Sequence, residues 1–128
     1  MALSHPETNE LTQQIIGLSI QIHKDLGPGL LESAYDDSLY WDLIDSGFAV
    51  DRQRKIPILR KSRIIPAAFR ADLIVNEKVI VEVKCLEKVI QVHRSQLLTY
   101  MRLSRISVGL LINFNVDRLV DGITRLSL

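Results

Sequence analysis

The sequence predicts an α/β (α+β) domain in the element order α-α-β-β-β-α-β-β, a central mixed sheet flanked by helices. Three observations predict it. Apolar residues make up 47% of the chain and aromatics only 5%, the mix of a domain with an aliphatic core. The spacing of apolar positions changes from about 3.6 residues to 2 near Phe48, so the element type changes there. The later runs are rich in Val and Ile, as strands are, and helical spacing returns between them near residue 90. At 128 residues the chain can build one core, and it reads as a single domain over 1–128.

Ser4-His5-Pro6-Glu7 has the form of a capping box with Pro near the first helical position. Leu11, Ile15, Leu18 and Ile22 then recur at helical spacing, so a first helix is expected from about 6 to 25. Gly27-Pro28-Gly29 forces a turn. A second helix is expected from near Leu30, with Leu31, Ala34, Tyr35 and Leu39 inward, ending at Ser46-Gly47. Trp41 and Phe48 read as core. "FAVDRQRKIPIL" reads as a strand in which Pro57 marks an edge or a bulge. "FRADLIV" and "VIVEVK" form a hairpin around Asn76-Glu77. Residues from about 90 to 103 return to helix, "ISVGLLINF" is a short strand of the fully buried sort, and "RLVDGITRL" is a weaker last strand.

Composition excludes several classes of function. No apolar run reaches the roughly 18 residues of a membrane span, and "MALSHPETNE" lacks a secretory pattern, so a cytoplasmic protein is expected. Cys85 is the only cysteine, so any metal must be held by oxygen or imidazole. Alternation along its strand turns Cys85 toward the apolar face, as an ordinary buried thiol. His5, His23 and His93 show no metal-ligand spacing, and no phosphate-binding glycine loop is present. The formal net charge of +1 hides an asymmetry. Lys24 is the only basic residue among the first 50, against eight acids, whereas residues 51–70 hold seven basic residues (Arg52, Arg54, Lys55, Arg60, Lys61, Arg63 and Arg70) against Asp51 alone. Such a segment attracts a polyanion locally, although a solvated strand face would have the same composition.

Acids interrupt the apolar strands at Asp72 and Glu82, and an amine at Lys84. Residues two apart in a strand share a face, so Glu82 and Lys84 point the same way, opposite to Val79, Val81 and Val83. A two-residue turn at Asn76-Glu77 would set Asp72 opposite Val81 and turn it away from Glu82. An odd turn, such as Asn76-Glu77-Lys78, sets Asp72 opposite Glu82, and this register is expected. Two neighbouring carboxylates are costly unless a cation intervenes, and Mg²⁺ takes such oxygen ligands together with substrate phosphate. Mn²⁺ would substitute. Lys84 could then position or help deprotonate a water, or stabilise transition-state charge. By itself the Asp-x9-Glu-x-Lys pattern is weak and is better read as a surface ion pair between Glu82 and Lys84. Glu32 at the start of the second helix is also an acid that the helix dipole favours. Gln96 and Tyr100 lie one turn apart on one helix face.

"LGPGLLESAY" resembles the signature of the small bacterial GxxExxY family at Gly29, Glu32 and Tyr35. "FRADLIVNEKVIVEVK", "VHRSQLLTY" and "VGLLINF" resemble its later blocks, from about Ile22 to Arg125. That family is similar to the PD-(D/E)XK nuclease superfamily, which implies a restriction-endonuclease-like core around a magnesium site. The resemblance implies Asp72 and Glu82 as direct metal ligands, the Val83 carbonyl as a third, Glu32 as the helix acid completing the site, and Lys84 as the catalytic amine. It places Gln96 and Tyr100 on the substrate side, and Tyr35, three residues after Glu32, is expected to bind substrate as well. "LRKSRII" departs from the family's aromatic-Lys-Gly hairpin. The implied function is a Mg²⁺-dependent nuclease acting on DNA, with RNA as a second substrate class. Arg52, Arg54, Lys55 and Arg70 in the basic stretch would grip flanking phosphates. A domain this small can dimerise to cover a duplex. The rival expectation is a catalytically silent nucleic-acid-binding or protein-interaction module on the same fold.

Overall fold

A computed structural model describes residues 6–128 of the chain. Helix α1 spans Pro6–Leu26 and α2 spans Glu32–Asp45. Strands β1 (Val50–Arg60), β2 (Arg63–Val75) and β3 (Val79–Lys84) follow, then α3 (Gln91–Ser104), β4 (Val108–Asn113), a 3-10 turn at Leu119–Gly122 and β5 (Ile123–Ser127). The expected element order holds. The capping box at Ser4 and His5 falls outside the described residues. Among those residues no helix is long and apolar enough to cross a membrane.

The five strands lie in sequence order in one sheet. β1, β2 and β3 pair antiparallel, β3 and β4 parallel, and β4 and β5 antiparallel. The parallel step requires a crossover, which α3 provides. Alternation sorts the core into two layers. Val79, Val81 and Val83 meet Leu11, Ile15, Tyr35, Leu39 and Leu43 of α1 and α2. Ile80, Ile74 and Leu111 meet Leu97 and Met101 of α3. β4 is buried along its whole length because both layers cover it.

Pro57 lies on the edge strand at a break in the ladder: Ile56 pairs with Phe69, but Ile58 pairs with Ile65. Pro57 supplies no N–H, so the loss of pairing there costs nothing on the donor side. Beyond the break, β1 and β2 end in a two-residue turn, Lys61-Ser62, with φ of +51° and +63°. Primed turns of this kind match the strand twist.

Three expectations about burial are corrected. Leu31 is 80% exposed, because it lies at the N-cap with extended backbone, before the helix can direct it inward. Trp41 is 58% exposed on the outer side of α2, edge-on to Tyr40. Phe48 is half-buried at the margin of the core.

Candidate active site

The β2–β3 turn takes three residues, 76–78, and pairs Leu73 with Val81, so that Asp72 falls opposite Glu82. Asn76 and Glu77 adopt left-handed φ values of +52° and +57° to close it. At Asp72 the two strands separate, and side chains take over the ladder. The Val83 N–H donates to Asp72 Oδ2 at 2.9 Å, and the Asp72 N–H donates to Glu82 Oε1 at 3.3 Å. The next carbonyl, that of Lys84, faces the other way and accepts from Phe114 N. Since the N–H and C=O of one strand residue share an edge, the Val83 carbonyl faces the same gap as Asp72.

Glu82 is only 4% exposed. Burial pushes its carboxyl well above the usual range, the negative charge of Asp72 pushes it further, and Lys84 pulls it partly back. Glu32 is raised by burial and then by Asp72, again offset by Lys84. Tyr100, on the other side of the sheet, has its hydroxyl raised by burial and by Glu82 and Asp72. Asp72 thus acts on α2 and on α3 at once, and Lys84 is the cation that offsets the acids.

Asp36 joins this group although nothing in the sequence singled it out. One helical turn after Glu32, it is buried, and its carboxyl is pushed up to about 6 by desolvation and by Asp72, against the pull of Arg52. Arg52 Nη2 lies 3.5 Å from Asp36 Oδ1, near enough for charge attraction, yet that oxygen receives no hydrogen bond. The available signal was its i, i+4 relation to Glu32, which puts both on one helix face.

Tyr35 is corrected. It has no exposed surface, stacks on Phe114 with ring centroids 4.5 Å apart, and gives its hydroxyl proton to the Gly27 carbonyl at 2.6 Å while accepting from Leu30 N. It ties the glycine turn to α2 and so positions Glu32; it cannot touch a substrate. Gly29, with φ +94°, supplies the turn. Arg52 is ion-paired with Asp37 and stands over the Tyr40 ring, and Arg54 pairs with Asp51 and Glu77. Neither is free to take a phosphate in this arrangement. Lys55 and Arg70 are exposed, face each other across β1 and β2, and form no ion pair among the described residues. Gln96 is exposed on α3, and Tyr100 stacks flat on Phe69 at 3.8 Å. His93 Nδ1 accepts from Ile90 N, a helix-start role. Cys85 is a half-buried free thiol, raised by burial and by Glu32.

Asn113 is a second residue that the sequence did not mark. Buried at the end of β4, its amide accepts from Leu86 N and donates to Leu86 O, both at 2.9 Å. This clamp fixes the chain just after Lys84. A cavity of about 610 Å³ around Glu77, Lys78 and Arg105 lies at the opposite end of β3 and shares no lining residue with the acids.

Among the described residues no three His, Cys, Asp or Glu side chains are grouped tightly enough to hold a metal as they stand. The donor set nevertheless suits a hard divalent cation: it is all oxygen and short of positive charge, with Glu82 buried and an orphaned oxygen at Asp36. A family model for the PD-(D/E)XK nuclease superfamily matches residues 9–126. No curated protein and no solved structure matches the chain.

Proposed function

The chain belongs to the PD-(D/E)XK nuclease superfamily and has its restriction-endonuclease-like mixed fold, and on that premise we propose that it is a Mg²⁺-dependent nuclease hydrolysing the phosphodiester backbone of DNA. The observation that carries this reading is the opposition of Asp72 and Glu82 at a parting of two strands, with Lys84 beside them. A structural ion-pair network would place cations between the acids. Here the acids crowd one another, and burial raises Glu82 further.

Asp72, Glu82 and the Val83 carbonyl would hold the cation, with Glu32 completing the set from α2. When bound, Mg²⁺ or Mn²⁺ would offset the carboxylate charge and polarise the phosphoryl group. Lys84 would orient the attacking water or meet the charge that develops on the phosphoryl oxygens. Tyr100 and Gln96 would lie along the strand entering from the α3 side, and Lys55 and Arg70 would take flanking phosphates.

The test is cleavage of single-stranded, duplex and branched DNA with Mg²⁺ or Mn²⁺, for the native protein, Asp72→Ala and Lys84→Ala. Each substitution should lower the rate by about 10²–10³-fold or more, the loss typical of a removed charge-stabilising group, and chelation should abolish cleavage. Cleavage that survives both substitutions would belong to a contaminant. Binding without any cleavage would make the domain a silent module.

A further inference from the structure

The β1–β2 hairpin runs on past the site. β2 pairs with β3 only from Leu73 to Val75, so residues 63–69 have only β1 as a strand neighbour. At about 3.3 Å per residue, the turn at Lys61-Ser62 stands roughly 30 Å along the strand from Asp72, close to one helical turn of duplex DNA. It projects from the end of the sheet where the acids lie.

Two features of this arm lack a structural reason. Its tip is apolar on both faces: Leu59 and Ile64, each 72% exposed, pair on one, and Ile58 and Ile65 pair on the other. A strand pair in water normally keeps one face polar. The arm also sets like charges directly opposite each other, Lys55 against Arg70 and Arg60 against Arg63, an arrangement that destabilises a sheet. Residues 52–71 contain no acid at all, and Lys55, Arg60, Lys61, Arg63 and Arg70 make no ion pair among the described residues. Uncompensated cations around an apolar tip complement a polyanion whose bases are exposed.

Resting on the nuclease reading, we infer that this arm is a wedge for the branch point of forked DNA, with Leu59, Ile64 and Ile65 against the last base pair and the flanking cations on the two diverging backbones. Unstacking an intact duplex is costly, and a junction is already open, so the arm selects forks over blunt duplex. A second copy of the chain fits less well. Tip-to-tip packing would bring the cations together, and Pro57 and Pro66 interrupt the hydrogen-bonding edges on which another strand would add.

The test uses forked DNA carrying 2-aminopurine at the last paired base, with Asp72→Asn protein so that no cleavage intervenes. Binding should raise the fluorescence severalfold, and adding Leu59→Ser with Ile64→Ser should remove most of the rise while circular dichroism shows a folded chain. In the cleaving protein, the fork-to-single-strand rate ratio should fall at least tenfold with the same pair of substitutions, and cuts should gather within about one helical turn of the junction. A fluorescence rise that persists in the variant, or equal binding of fork and blunt duplex, would overturn the wedge. So would loss of a dimer on sedimentation when the tip is changed, which would make the arm a self-association surface. The fluorescence readout needs no cleavage, so failure of the nuclease reading leaves this test standing.

Discussion

Asp72 accepts a hydrogen bond from the Val83 N–H at 2.9 Å, a donor that an unbroken ladder would send to a β2 carbonyl. The same contact that completes the fold therefore aims a carboxylate at its like-charged neighbour, Glu82. Stability and chemistry compete at this point.

The competition is measurable through pH. The Glu82 carboxyl is raised in the folded protein above its ordinary value of 4.5 by burial and by Asp72. Folded chains thus hold a proton that unfolded chains have released, and stability falls as pH climbs from about 4.5 toward the raised value. Thermal melts in chelator between pH 5 and 8.5 should show a slope approaching 1.4 kcal/mol per pH unit for a single linked proton, and Glu82→Gln should flatten it. A flat native profile would remove the repulsion on which the site is built.

Millimolar Mg²⁺ at pH 8 should raise the melting temperature of the native chain. At a hundred times its dissociation constant, a ligand specific to the folded state adds about 2.7 kcal/mol. Asp72→Ala should show no such shift, as followed by differential scanning fluorimetry.

Asp36 gives a second, smaller linkage. Its carboxyl moves from 3.8 to about 6 on folding, so the ionised form is disfavoured above that range. Asp36→Asn should therefore stabilise the metal-free protein at pH 8, on the order of 1–2 kcal/mol once the lost attraction to Arg52 is discounted. At pH 3.5 the difference should vanish. Denaturant unfolding at the two pH values checks both.

Gln53 lies in β1 opposite Asp72 with φ of +55°, a left-handed conformation inside a strand. A glycine has no Cβ to strain there, and Gln53→Gly should stabilise the chain by about 0.5–1 kcal/mol, against the loss usual for glycine in a strand. The midpoint of urea unfolding reports it.

A Cβ built on Gly122 would lie 2.2 Å from the backbone oxygen of Asn113, which cannot swing away. Gly122→Ala should cost about 3 kcal/mol. Because Asn113 clamps Leu86, it should also disturb Lys84 more than its distance in the chain suggests, visible as a larger fall in cleavage than in melting temperature.

The acid pair was legible in the sequence because strand alternation is local: once the turn is odd, Asp72 must meet Glu82, and Lys84 follows by period two. The fold order was legible for the same reason, through period changes at Phe48 and near residue 90. What escaped depended on distant partners. Nothing within a few residues of Arg52 or Arg54 reveals that Asp37 and Glu77 neutralise them. Tyr35 was placed on the substrate side through the family signature, and the Phe114 ring that it stacks on lies far along the chain. Leu31 was assigned inward by its spacing to Ala34 and Tyr35, and Trp41 by residue type, but Leu31 lies at the extended N-cap before the helix begins and Trp41 on the outer side of α2. Asp36 was hidden among four other acids of α2, Glu32, Asp37, Asp42 and Asp45, and only its packing sets it apart as the buried one.

The three-residue turn at 76–78 serves two masters. A one-residue slip of β2 past β3 would part the acids and also turn Leu73 and Val75 out of the hydrophobic interior. Selection for a soluble, folded chain alone thus guards the alignment, and a lineage abandoning catalysis would do so by replacing side chains, leaving the backbone frame intact.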